Sequence, residues 1–194
     1  MHTTPFPTPP AARTPRRHGA TRQRGITLVE ACIVLAITAV SAATAAPGMQ
    51  TLIDARRLEG TARQLATDLH FVRGEAVARN LPLRLSVQAS AGGSCYVIHS
   101  GAAGACTCAA ASPAATCTGD ALEIKTVALA STTRIAVQSN AASMLFDPLH
   151  GTASPTATLR VTGPRGQAVH HVVNVMGRVR SCSPVSALPG YPVC

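Results

Sequence analysis

Tryptophan is missing from this 194-residue chain, and aromatic residues make up only 3% of it. Any interior must therefore be aliphatic, built from the Ala, Val, Leu and Ile that dominate a 46% hydrophobic composition. The same shortage removes the stacking platforms that single-stranded nucleic acids usually need, since beyond residue 25 only Phe71, Tyr96, Phe146 and Tyr191 remain. Acids are scarce as well, eight against 17 Lys and Arg. No nucleophile elbow or phosphate-cradling glycine loop occurs, and His170-His171 has no matching carboxylate pattern, so the chain reads as a non-enzyme without a cofactor. Successive strand residues face opposite ways, which makes the two histidines ordinary strand residues rather than one pocket wall. Paired Cys-x2-Cys spacing is also absent, which argues against a zinc site.

The seven cysteines instead point to an oxidising compartment. Cys32 lies in an apolar run and is expected to stay a thiol. The other six, at 95, 106, 108, 117, 182 and 194, allow 15 pairings. Cys182 with Cys194 is expected, closing a small Pro-containing loop, and Cys106 with Cys117 is preferred among the rest.

The formal charge of +9 is unevenly spread. Five Arg and no acid fall in the first 25 residues, leaving 12 basic and eight acidic residues beyond them. From Pro148 to Cys194 there are four Arg (160, 165, 178, 180), three His (150, 170, 171) and no Asp or Glu. A one-signed segment of this kind attracts polyanions.

Residues Met1 to Gly25 are rich in Pro, Thr and Arg and read as a disordered cytoplasmic leader. From Ile26 to Ala46 the chain is apolar for 21 residues with Glu30 as its only charge, about the length of a membrane-spanning helix. An ordinary secretory signal has its cleavage site after the apolar region, whereas here Gly25 precedes it. Hydropathy alone also admits a plain signal anchor. Glu30 argues against one, because a carboxylate in a span costs a few kcal/mol unless partnered. Cutting after Gly25 would free the amine of Ile26, which could neutralise Glu30 of a neighbouring helix.

Beyond Pro47, Leu58, Ala62, Leu65, Leu69, Val72 and Ala76 recur at spacings of three and four with charges between them, which predicts an amphipathic helix ending near Asn80, before Pro82. Short β-type runs follow: Leu83 to Val87, Cys95 to His99, Leu122 to Leu129, Arg134 to Val137, Met144 to Phe146, Ala157 to Val161 and Ala168 to Val175. Gly163 to Gln167 reads as a hairpin turn and Ser100 to Gly119 as a surface loop. The expected fold is α+β, a long N-terminal helix packed on a mainly antiparallel β head. Its parts are a leader (1–25), a transmembrane or filament-core helix (26–46), an amphipathic helix (47–81) and a head (82–194).

The run Arg24-Gly25-Ile26-Thr27-Leu28-Val29-Glu30 resembles the prepilin peptidase motif of type IV pilins and type II secretion pseudopilins, with Ile26 where Phe is usual and Pro47 where those chains often bend. The resemblance implies cleavage between Gly25 and Ile26, N-methylation of Ile26, a role for Glu30 in filament assembly, and anchoring by one span in the inner membrane with the head in the periplasm. Residues 63–76, with Arg79 and Asn80, resemble the corresponding region of the GspH/FimT minor pilins.

Gly177-Arg178-Val179-Arg180 resembles the C-terminal motif of the FimT branch, whose members are linked to DNA uptake in natural transformation. On a strand Arg178 and Arg180 share a face roughly 7 Å apart, near the spacing of successive phosphates. Such guanidinium forks could grip a DNA backbone without reading bases, with Arg160, Arg165 and Lys125 extending the stripe. Double-stranded DNA is the expected ligand, and other pilins and the prepilin peptidase are the expected partners. The alternative is a GspH-type minor pseudopilin of a type II secretion system that recruits partners without DNA.

Overall fold

The computed structural model describes residues 25–90, 92–184 and 188–194, the side chain of Pro47 excepted. All of the expected leader except Gly25 lies outside the described residues. The chain divides into two units, Met1–Thr44 and Ala45–Cys194.

A single helix, α1, runs Leu28–Arg79. Thr27 starts it by accepting the Glu30 backbone N–H on its hydroxyl at 3.2 Å, an N-cap arrangement. Its end is set by Asn80, which takes the left-handed conformation at φ 51° while the Leu81 N–H reaches back to the Ala76 carbonyl at 3.1 Å. The backbone stays helical through Pro47. A proline removes one N–H from the ladder, and the flanking Ala-rich turns carry the helix across. In the first unit every described side chain is exposed, and the apolar part of α1 is long enough to cross a membrane.

In the second unit the amphipathic stripe is the organising element. Leu58, Ala62, Leu65, Leu69, Val72 and Ala76 are all completely buried, in one core with the inward faces of two antiparallel sheets. One sheet contains β1 (Leu83–Ser90), β2 (Gly93–Ser100), β5 (Glu123–Ala130), β7 (Ser143–Phe146) and β8 (Ala153–Ser154), in the order β5-β2-β1-β7-β8. The other contains β6 (Ala136–Ser139), β9 (Ala157–Thr162), β10 (Ala168–Val173) and β11 (Val179–Cys182), in the order β11-β10-β9-β6. Gly163 to Gln167 forms the β9–β10 hairpin, closed by a Gly163 N–H to Gln167 carbonyl bond of 2.9 Å. This is the expected α+β arrangement, a long helix with mainly antiparallel sheets.

Residues 100–119 are more than a surface loop. They contain the short pair β3 (Cys106–Thr107) and β4 (Thr116–Cys117), joined by the Cys106–Cys117 disulfide and tied to β2 by Cys95–Cys108. Cys106 is fully buried in a small second core with Val97 and Ala121. This segment has no apolar periodicity because its order comes from cross-links rather than from an amphipathic face.

Two helix acids are also not the solvated charges that their place between apolar residues suggests. Asp68 is buried, accepting hydrogen bonds from the Tyr96 hydroxyl at 2.7 Å and the Lys125 ammonium at 2.6 Å. Asp54 is buried beside Arg134, with an N–O distance of 3.1 Å.

Candidate nucleic-acid interface

Strand β10 ends at Val173, and the chain reverses through residues 174–177 into β11. Asn174 organises the turn: its carbonyl accepts the Gly177 N–H at 2.9 Å, its own N–H donates to the Arg178 carbonyl at 3.2 Å, and its side-chain oxygen accepts the Arg178 N–H at 2.9 Å. Gly177 is buried at φ 67°, and a Cβ there would lie 2.6 Å from the Gly151 carbonyl oxygen and 3.0 Å from the Arg73 side chain. The Arg73 Nε holds that same carbonyl at 2.8 Å. Gly177 therefore serves the turn and its packing, because only glycine combines this backbone conformation with so close an approach.

Past the turn, strand alternation sends Arg178 and Arg180 outward, both exposed, while Val179 packs on the core. Register decides what joins them. Arg180 pairs with Val172 and, one strand further, Val172 with Thr158; Cys182 pairs with His170, and His170 with Arg160. Arg160 is exposed on this same outer face, roughly 12 Å from Arg180 by strand geometry. His170 sits between them, its protonation disfavoured by partial burial and then by the neighbouring Arg160 charge. The Cys182–Cys194 disulfide lies on the same face, with the Cys194 sulfur 3.8 Å from His170 Nδ1.

Among the described residues no acid pairs with Arg160, Arg178 or Arg180, and the acids that have basic partners have them elsewhere. Asp54 is with Arg134, Glu59 with Arg56 and Arg63, Asp68 with Lys125, Glu75 with Arg79 and Asp147 with His150. The result is an uncompensated cationic face on an edge of the four-stranded sheet.

Two expected members are not part of it. Lys125 stands on β5 in the other sheet, its ammonium occupied by Asp68, so it does not extend the stripe. Arg165 is at the tip of the β9–β10 hairpin, at the opposite end of β10 from Arg178, with its Nε 3.9 Å from Asp54. Its charge is drawn toward the helix acid rather than added to the face. Conversely, His170 reads from sequence as an ordinary strand residue. Only the cross-strand register shows that it shares a row with Arg160.

His171 points the other way. It is completely buried, with Nδ1 2.8 Å from the Ser181 hydroxyl. Burial pushes its imidazole down to about 4, a shift only partly offset by the backbone at Ala62. Near the other end of the chain, Gly25 and Ile26 precede α1, and Glu30 is exposed in its first turn.

A family model described as type II transport protein GspH matches residues 61–177, from the amphipathic part of α1 to the last residue before Arg178. No curated protein and no solved structure matches the chain.

Proposed function

The chain belongs to the GspH family of type II transport proteins, which makes it a minor pilin or pseudopilin that associates with others of its kind, and we propose that its head binds the DNA backbone through Arg178, Arg180 and Arg160. The observation that carries this reading is the cationic outer face of β9, β10 and β11, where three exposed guanidinium groups stand without an acidic partner among the described residues. Arg178 and Arg180 project from one side of an edge strand, roughly 7 Å apart, so each can take one of two successive phosphates. No base is read, and recognition is by charge and spacing. Binding by one subunit is weak, and several subunits in one filament would raise it by avidity.

The reading continues at the N-terminus. Cleavage between Gly25 and Ile26 by the prepilin peptidase, N-methylation of Ile26 and pairing of Glu30 with a neighbour's amine would place α1 in the inner membrane and then in a filament, with DNA capture serving natural transformation. A second reading is favoured by the family description itself, and by the fact that the match ends at Gly177, before both motif arginines. In it the protein is a type II secretion pseudopilin with a purely structural, partner-recruiting head.

The discriminating experiment measures fluorescence anisotropy of labelled DNA with the chain from Ile26 onward, oxidised and held in a neutral detergent. Starting at Ile26 keeps the five leader arginines from contributing. Log affinity should fall with log salt at a slope of about −2 to −3, and Arg178→Gln with Arg180→Gln should reduce that slope by about 2. A parent chain that ignores DNA would leave the structural pseudopilin reading.

A further inference from the structure

We propose that the same face prefers single-stranded to double-stranded DNA, because an aliphatic notch beside Arg180 receives an unstacked base. The inference rests on the DNA-binding reading above and concerns the form of DNA that the site takes.

The notch is formed where the C-terminal tail meets β11. Val193 bridges Ser183 in parallel, the Ser183 N–H donates to the Pro192 carbonyl at 2.8 Å, the Cys194 N–H donates to the Ser183 carbonyl at 3.1 Å, and the Cys182–Cys194 disulfide closes the end. With the tail tied down in this way, Pro192 and Val193 line one notch together with Val172, Cys182 and Arg180. The lining is almost wholly apolar, yet it is open to solvent: Val172 is 40% exposed in mid-strand and Val193 65% exposed. Arg180, one of the two arginines assigned to phosphates, is part of its wall.

A duplex presents this face with phosphates and sugars, its bases turned inward and stacked. A single strand following Arg178 and Arg180 can turn one base outward, where its apolar faces cover Val172, Pro192 and Val193 while its phosphates keep both guanidinium contacts. Aromatic platforms are absent here, and the valines, the proline and the disulfide supply the apolar surface in their place. The contact does not depend on base identity, because every base has an apolar face.

The test compares three probes on the oxidised chain from Ile26 onward in neutral detergent: an oligothymidylate of about 12 nucleotides, an abasic strand of the same length and a duplex of the same length. Oligothymidylate should bind most tightly. Val172→Thr with Val193→Thr, which keeps shape and charge, should lower oligothymidylate affinity by about fivefold and leave duplex and abasic affinity unchanged. Equal binding of the abasic strand, or duplex binding at least as tight as oligothymidylate, would overturn the base notch while leaving the arginine contacts standing. Failure of all three probes to bind, or binding untouched by Arg178→Gln with Arg180→Gln, would overturn the DNA-binding reading itself.

Discussion

Acid should weaken the head through one buried imidazole. His171 is fully buried between β10 and α1 and titrates near 4, whereas the same side chain in the unfolded chain titrates near its ordinary 6.5. Between those values the unfolded chain holds a proton that the folded chain does not. Stability is therefore fully present above about pH 6.5, declines as pH falls, and levels off below about 4. The gap of roughly 2.5 units, at about 1.4 kcal/mol per unit, amounts to about 3 kcal/mol. Lowering the pH from 7.5 to 5 should remove about 2 kcal/mol of this. The chain from Ile26 onward can be unfolded in urea at a series of pH values and followed by tyrosine emission, which no tryptophan obscures. His170 is also held below its usual range and contributes acid sensitivity in the same direction, so the informative quantity is the difference from His171→Gln, which cannot titrate. Parent and variant should converge as pH falls from 6.5 to 4. Parallel stability curves over that range would refute the argument.

Three further outcomes follow from the described contacts. Asp68→Ala strips the buried Tyr96 hydroxyl and the Lys125 ammonium of their acceptor and should cost about 2–4 kcal/mol in chemical unfolding, while Lys125→Met, whose ammonium is partly solvated, should cost less. Gly177→Ala forces a left-handed alanine against the Gly151 carbonyl and should cost at least about 2 kcal/mol, with faster proteolysis around residues 174–177, although no charge is removed. Bound phosphate should raise the His170 pKa that burial and Arg160 depress, so DNA affinity should increase as pH falls, and a His170→Gln chain titrated by anisotropy should lose that dependence.

Much of the architecture is legible from short-range patterns. The six apolar positions from Leu58 to Ala76 announce the buried face of α1 because a helix places residues three and four apart on one side, whatever lies opposite. Its end near Asn80 is readable from the chemistry of Asn80 and Pro82 alone. Arg178 and Arg180 share a face by strand alternation, which needs no knowledge of the neighbouring strand. Other features depend on contacts between distant residues. Asp68 reads as a surface charge until β5 brings Lys125 to it across 57 positions. That contact removes Lys125 from the cationic stripe that composition had assigned to it, and Arg165 is likewise drawn toward Asp54. The pairing of His170 with Arg160 is a matter of register, which a slip of one residue would reverse.

The sequence by itself thus determined the long helix, its buried stripe, the β-rich head and the two arginines of β11, since each follows from the stereochemistry of neighbouring residues. Only the tertiary structure decided which charges are spent in internal pairs, that Gly177 serves the turn, and that Arg160, His170 and Cys182 form one row across β9, β10 and β11. These depend on strand order, register and cross-links, and on burial that makes an unpartnered acid too costly to leave alone.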